Sequence, residues 1–235
     1  MNFIWKAGGS PMWHWMQKQR PEWQQTYRRQ PRIPRNQPES QLRYSVVDVE
    51  TTGFDLRKDR ILSIAVATIE DQQLRVDRLW NRIVFQENAA INDAVKVHGI
   101  LPSESSHGIS EAEMIEQLVQ KLTGTVVVGH HIRFDATMLN AAMERHFGLR
   151  FRNRMIDTGD LAMAEIDAFK KSAYTNQRPP SLDEVCQQLE INPVDRHTAL
   201  GDAFTTAQVF LYLRGRMQQR LKERFALKHL PLGRL

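Results

Sequence analysis

Apolar and polar residues alternate in a regular way from Leu42 onward, and this pattern predicts a sheet packed against helices. Three strand-like segments follow one another, then come a helix, a further strand and more helices, an order that indicates an α/β protein with a mixed sheet. The valines at 126–128 are typical of a strand that is buried on both faces. We predict strands at 43–49, 61–69, 74–84 and 125–129.

Two helix starts carry the signature of a capping box, in which a serine precedes a glutamate by three residues. Ser110 precedes Glu113, and Ser181 precedes Glu184. In this arrangement the hydroxyl and the carboxylate each accept a backbone hydrogen bond at the helix start. We predict helices at 111–122, 135–147, 157–169, 182–190 and 198–223.

Residues 1–42 differ in composition from the rest of the chain. They hold four of the five tryptophans, five prolines, many glutamines, and seven Lys/Arg against two Asp/Glu. The remaining 193 residues hold 25 charges of each sign, so residues 1–42 alone carry the basic excess of +5. Residues 13–29 are compatible with a basic helix that lacks a clean apolar stripe, and residues 31–38 predict an extended linker. Arginines interleaved with aromatics suit single-stranded nucleic acid, and the alternative is packing on the chain's own domain or on a partner.

We therefore expect a basic Trp/Pro/Gln-rich extension at 1–42, one domain at 43–223 and a short C-terminal tail at 224–235. The single cysteine, Cys186, excludes an internal disulfide and a multi-thiolate zinc site, and its apolar neighbours predict a buried thiol. No apolar run has the length of a membrane span, and the N-terminus does not resemble a secretory signal. We expect a cytoplasmic protein without membrane contact.

The first predicted strand ends on two carboxylates, Asp48 and Glu50. Residues two apart on a strand point to the same face, so these side chains project together while Val47 and Val49 face the core. Two neighbouring carboxylates repel each other, and a divalent cation removes that conflict. This pair predicts a metal-dependent enzyme.

Four further segments carry chemistry: 97–100, 129–135, 157–161 and 197–202. With the first acids they resemble, in order and spacing, the DnaQ-like 3′–5′ exonucleases of the DEDDh group, which includes the proofreading subunit of the bacterial replicative polymerase. The resemblance covers roughly residues 42–215. It rests on three motifs: Asp48-Val49-Glu50-Thr51-Thr52-Gly53, His130-His131-Ile132-Arg133-Phe134-Asp135, and His197 followed by Asp202.

The resemblance implies a ribonuclease H-like α/β fold, with a mixed five-stranded sheet flanked by helices. It also implies that two divalent ions, Mg²⁺ or Mn²⁺, are bound by Asp48, Glu50, Asp135 and Asp202, and that His197 is the general base. Positions 197 and 202 would point about 140° apart on one straight helix. We therefore expect His197 on the loop before the helix and Asp202 inside it.

The same resemblance implies a set of residues that meet the 3′ nucleotide. His131 departs from the family pattern, which often has asparagine there, and this puts the rate or the preferred substrate in question. Phe134 is equally compatible with the core, and His98 is the weaker candidate against a capping or core histidine. The expected substrate-binding residues are Thr51, Thr52, Gly53, Phe54, His98, His131 and Phe134.

Three functions stay open at this stage. The first is removal of nucleotides from single-stranded DNA 3′ ends, with release of 5′-mononucleotides, as in proofreading or repair. The second keeps this chemistry but acts on RNA or short oligoribonucleotides. The third is a polymerase- or repair-complex subunit whose extension at 1–42 binds the partner, since the tail at 224–235 leaves little room for docking.

Overall fold

The computed structural model describes residues 20–87, 100, 105–170 and 178–235, and they form a sheet with helices on both faces. The α/β class and the mixed sheet predicted from the sequence are confirmed. The strands are β1 (Tyr44–Thr51), β2 (Ile61–Glu70), β3 (Gln73–Leu74), β4 (Trp80–Ile83), β5 (Val126–Gly129), β6 (Met155–Asp157) and β7 (Leu232–Gly233). The α-helices are α1 (Glu22–Arg29), α2 (Glu111–Leu122), α3 (Arg133–Phe147), α4 (Thr158–Glu165), α5 (Leu182–Leu189) and α6 (Ala199–Leu221).

The sheet places three parallel strands side by side at its centre. Strand β1 pairs in parallel with β5, and β5 pairs in parallel with β6. On the other side of β1, β2 runs antiparallel and pairs with both β3 and β4, while β7 lies antiparallel to β6. Within the described residues the sheet has seven strands, whereas the family resemblance implied five. The two-residue strands β3 and β7 extend the edges and account for the difference. The carboxyl ends of β1, β5 and β6 meet at one edge, where ligands bind in open α/β sheets.

One strand and one helix were predicted from the sequence as longer than they are in the structure. The strand predicted at 74–84 is two strands, because the charged residues between them form a 3₁₀ turn at Val76–Arg78. The helix predicted at 157–169 ends at Glu165, and a separate 3₁₀ turn covers Asp167–Phe169. Strands β6 and β7 were not predicted, since two or three residues are too few to show an alternating pattern.

The helix caps follow the sequence closely. Ser181 and Glu184 form the expected capping box. At the start of α2 only half of the expected box forms: the Ser110 hydroxyl accepts a hydrogen bond from the Glu113 amide at 3.2 Å, whereas the Glu113 carboxylate accepts one from Gln117. The apolar residues of α2 make one buried stripe against the sheet. The bounds of α2, α3, α5 and α6 lie within two residues of those predicted.

The sheet separates two apolar cores. Val47 and Val49 of β1 face the core shared with α2 and α3. Tyr44 and Val46 face the opposite core, shared with α4, α5 and α6. Because side chains alternate along a strand, the two acids of β1 continue the face that α6 covers.

Residues 20–42 pack against the domain. The Tyr27 side chain is fully buried, and its hydroxyl donates a hydrogen bond to Asn153 Oδ1 at 2.8 Å. The buried Glu39 carboxylate pairs with the buried Arg214 guanidinium on α6 and accepts a hydrogen bond from the Tyr44 hydroxyl at 2.7 Å. Packing of the extension on its own domain, one of the alternatives above, therefore applies to this part, and its boundary at residue 42 stays a prediction.

Three further expectations concern single residues or segments. Cys186 is buried, and burial raises the pKa of its thiol to about 11, as expected for a core cysteine. The C-terminal residues contribute Phe225, Leu227 and Leu230 to the core. Within the described ranges, no helix combines the length and the apolar character needed to cross a membrane.

Candidate active site

Small residues bring the start of α6 close to the sheet. Ala65 on β2 packs against Ala199 and Ala203 on α6. A Cβ atom added at Gly201 would lie 2.2 Å from the Asp195 carbonyl oxygen, so the loop before α6 also presses directly against the helix. Since Ala65 lies opposite Asp48 in the β1–β2 register, this close approach sets the first turn of α6 over the acids of β1.

Three carboxylates converge at this point. Asp48, Glu50 and Asp202 each offer one oxygen atom, and these oxygens all lie within 4.8 Å of one another. Asp135 is buried in the first turn of α3, close enough for its charge to act on Asp48 and for the Glu50 charge to act on it. The structure thus brings together the four acids, here called the acid cluster, from three separate parts of the chain.

The acid cluster carries negative charge that is poorly compensated. Burial raises the pKa of Asp48 well above its usual value, and the charges of Asp135, Asp202 and Glu50 raise it further. Burial and the Asp202 charge raise the pKa of Glu50 to about 7. The pKa of Asp135 is raised by burial and then by Glu50 and Asp157. Carboxylate oxygens are the ligands that hard divalent cations prefer, so this donor set fits Mg²⁺ or Mn²⁺.

Arg196 is a residue that the sequence reasoning missed. Its guanidinium contacts the Asp202 carboxylate, and its Nε donates a hydrogen bond to Asp183 Oδ1 at 2.6 Å. Its charge opposes the rise in pKa at Asp48 and Glu50. The sequence feature that could have identified Arg196 is its position as a basic residue directly before His197, the first residue of the third motif.

His197 lies on the loop before α6, as expected, because Thr198 caps the helix and α6 begins at Ala199. The His197 side chain is exposed, and its backbone adopts a positive φ of 65°. Its amide donates a hydrogen bond to Asp202 Oδ2 at 3.3 Å. The loop conformation is therefore tied to the acid cluster through the backbone, while the imidazole faces solvent.

The loop after β1 satisfies its own polar groups. The Thr51 hydroxyl donates to the Gly53 carbonyl at 2.8 Å, and the Thr52 hydroxyl donates to Asp59 Oδ1 at 2.8 Å. A Cβ atom at Gly53 would lie 2.6 Å from the Asp59 carboxylate, so glycine makes room for this loop contact. The expected roles of Thr51, Thr52 and Gly53 toward a nucleotide stay predictions.

Two phenylalanines lie beside the acids. Phe54 is 87% exposed, and its ring centroid is 5.5 Å from that of the half-buried Phe134. Phe134 is in α3 next to Asp135. A large exposed aromatic ring backed by a second ring is suited to stacking on a base.

Asp157 organises the second motif and also caps a helix. It caps α4 through the Gly159 amide, and its carboxylate also accepts hydrogen bonds from the His131 and Ile132 amides, both at 3.1 Å. The adjacent His130 is held by Thr158 and by the Pro180 carbonyl oxygen.

The imidazole of His131 is exposed, its ring centroid lies 4.4 Å from that of His130, and its backbone has a positive φ of 56°. His98 lies outside the described residues.

Comparison with known proteins agrees with this geometry. The RNase T exonuclease family model matches residues 45–210. A DNA polymerase III of PolC type from Thermotoga petrophila is 30% identical over 168 residues, which are 72% of this chain and 12% of that protein. The DNA polymerase III subunit epsilon of Aquifex aeolicus is 23% identical over 193 residues, which are 81% of this chain and 91% of that protein.

Solved structures show the same fold. Escherichia coli exonuclease I in complex with a dT13 oligonucleotide matches with a TM-score of 0.63 and 20% identity, over 77% of this chain and 42% of that one. Exonuclease X in complex with 5′ overhanging duplex DNA matches with a TM-score of 0.56 and 17% identity, over 74% of this chain and 92% of that one. The resemblance to DnaQ-like exonucleases is confirmed, and the chain belongs to the RNase T exonuclease family.

Proposed function

We propose that this chain is a metal-dependent 3′–5′ exonuclease that removes nucleotides from the 3′ ends of single-stranded DNA. The acid cluster carries the proposal: the carboxylates of Asp48, Glu50 and Asp202 converge, and the charge of Asp135 acts on Asp48. The oligonucleotide in the complex of E. coli exonuclease I supports the class of substrate.

The acid cluster would hold two divalent ions, Mg²⁺ or Mn²⁺, with Asp48, Glu50, Asp135 and Asp202 as ligands. Bound ions of this kind supply Lewis-acid stabilisation of a phosphodiester and lower the pKa of a bound water. The raised pKa values of Asp48, Glu50 and Asp135 support the proposal, because bringing positive charge to these acids relieves their repulsion.

The side chains around the cluster would complete the reaction. His197 would take the proton from the attacking water, because a neutral imidazole with a pKa near ~6.5 is a suitable base at neutral pH. Its position on a loop allows the ring to approach when substrate is present. Phe54, whose ring packs at a tilt against Phe134, would hold the terminal base, and His131 would orient the strand.

A 5′-labelled single-stranded DNA and its RNA counterpart, incubated with Mg²⁺, Mn²⁺ or EDTA, test the activity. We expect a ladder that shortens from the 3′ end, is lost in EDTA and in Asp202→Asn, and persists in Asp160→Asn. Asp160 is the matched control, because it is an exposed acid near the site but outside the acid cluster. Loss of activity in both variants would contradict a specific role for the cluster, and faster loss of RNA would select the exoribonuclease alternative.

The names of the polymerase relatives favour one further role, docking of the N-terminal extension on a polymerase or repair partner. Because Tyr27 and Glu39 are core residues, the deletion that tests this role keeps both of them. Deletion of residues 2–19 should abolish capture of the partner and leave hydrolysis of short substrates unchanged. Loss of that hydrolysis would contradict a docking role.

A further inference from the structure

A groove rich in arginine lies at the end of the sheet opposite the acid cluster. Its volume is about 310 Å³. It lies between the extension, the residues that precede β5 and β6, and the residues that follow β7, which here are 30–33, 124–125, 150–154 and 234–235. Because β5 and β6 are parallel, residues before these strands are at the edge remote from the acids.

Five arginines line this groove, and none of them pairs with a carboxylate among the residues that the structure describes. Four of the side chains are exposed, and Arg154 is half-buried, with its Nε donating to the Ile33 carbonyl oxygen at 3.1 Å. The arginine groove is defined by Arg32, Arg150, Arg152, Arg154 and Arg234.

The positive charges in this region act on one another. Burial lowers the pKa of Arg154, and the charges of Arg234, Arg35 and Arg32 lower it further. Burial also lowers the pKa of Arg28, followed by the charges of Arg20 and Arg152, and the causes include no carboxylate for either group. A bound anion would relieve this repulsion.

One of the five charges in the groove comes from the basic extension. Residues 1–42 carry a net charge of +5, whereas the remaining residues are neutral as a whole. Folding of the extension onto the domain places Arg32 beside the arginines of the loop before β6. The extension thus adds Arg32 to four arginines that the rest of the chain contributes.

The five guanidinium groups of this surface suit an occupant with several negative charges in a row, and the exonuclease family of this chain points to the phosphates of nucleic acid. Each guanidinium presents a planar fork of donors that matches a phosphate oxygen pair, and arginine, not lysine, supplies all five charges. A run of regularly spaced phosphates satisfies several forks at once. We infer that the arginine groove binds the phosphate backbone of a nucleic-acid strand at a distance from the 3′ end held at the acid cluster.

The inference rests on the proposed function in one respect, the placement of the 3′ end at the acids. Tyr44 pairs with Val126 at the groove end of the sheet, and Glu50 lies six residues further along β1, which is roughly 20 Å at about 3.3 Å per residue. A dinucleotide is too short to reach both places, whereas a long strand can do so. The arginine groove should therefore strengthen the binding of long substrates only.

The test compares two triple variants with equal loss of charge. Arg32→Ala/Arg152→Ala/Arg234→Ala removes exposed groove arginines that make no side-chain hydrogen bond to a described residue. Arg43→Ala/Arg75→Ala/Arg78→Ala is the control. These three arginines all form ion pairs with Glu70 on β2, which is separated from β5 and β6 by β1.

Fluorescence anisotropy in EDTA measures binding of a labelled single-stranded DNA of about 30 nucleotides against salt concentration. Since one single-strand phosphate contact contributes ~0.7 to the salt slope, we expect the groove variant to lower the slope by about 2 and the control to keep it. Hydrolysis of a dinucleotide should be the same in both variants and the parent. If the triple variant does not fold, the single variants Arg32→Ala and Arg234→Ala should each lower the slope by about 0.7.

An unchanged slope in the groove variant, or an equal fall in the control, would overturn the inference. Arginine-dependent binding of polyglutamate instead of DNA would also overturn it and assign the groove to a protein partner. Failure of the proposed function has a different signature, which is retention of arginine-dependent DNA binding in a parent protein that hydrolyses no 3′ end.

Discussion

Replacement of Glu50 by glutamine should stabilise the metal-free protein while it removes activity. The Glu50 pKa is raised from 4.5 to about 7 by burial and by Asp202, so the folded state holds this proton more tightly than the unfolded state does. Ionisation of Glu50 therefore costs folding free energy as the pH rises from 4.5 through about 7. Glutamine carries no charge and avoids this cost.

The magnitude follows from the shift of about 2.5 pKa units, which corresponds to about 3 kcal/mol at ~1.36 kcal/mol per unit. Because the side chain is only partly buried, solvent screening makes this an upper value. For a domain of this size it corresponds to a rise in Tm of roughly 5–10 °C. The gain should be near zero below pH 4.5, grow up to about pH 7 and stay constant above it.

Urea denaturation in EDTA across this pH range measures the difference in unfolding free energy between Glu50→Gln and the parent. Glu116→Gln, an exposed glutamate on α2 outside the acid cluster, is the control. Added Mn²⁺ should stabilise the parent more than the variant and so reduce the difference, since bound cations offset the repulsion. A difference that does not change with pH, or a less stable variant in EDTA, would refute the reasoning.

Three other substitutions test separate parts of the molecule. His197→Ala should lower kcat on single-stranded DNA by about 10²–10⁴ without weakening oligonucleotide binding, and an unchanged kcat would exclude His197 as the base. Arg214→Met should lower the unfolding free energy by about 3–5 kcal/mol in urea titrations, because it leaves the buried Glu39 carboxylate unpaired, and a neutral effect would show that this pair is dispensable. Burial lowers the folded-state pKa of His130 from 6.5 to about 4, so the unfolding free energy of the parent falls by up to about 3 kcal/mol as the pH falls from 6.5 to 4. His130→Gln should remove this acid-dependent loss. Equal losses of stability in thermal melts of both proteins would contradict this.

The sequence predicted the parts of the site that depend on local spacing. The two-residue interval between Asp48 and Glu50 sets both acids on one face of β1, and the five-residue interval before Asp202 separates the loop from α6. Capping residues located the helix starts for the same reason, since a cap acts on the next three amides.

The remaining features depend on contacts between distant segments, which spacing does not reveal. Arg196 reaches Asp183 only because α5 and the loop before α6 meet in space. The bonds from Asp157 to the amides of the second motif depend on β5 and β6 being neighbours in the sheet. The packing of Tyr27 on Asn153 likewise joins residues 126 positions apart.

The buried pair of Glu39 and Arg214 also bears on how the chain folds during synthesis. The two residues are 175 positions apart, and the neighbouring bridge between Pro38 and Ala226 spans a similar interval. Contacts between such remote positions carry a high loop-closure cost and are associated with slow folding. The core beneath α6 therefore closes only after the chain as far as Ala226 has left the ribosome, and until then the face of β1 that carries the acids has no helix to cover it.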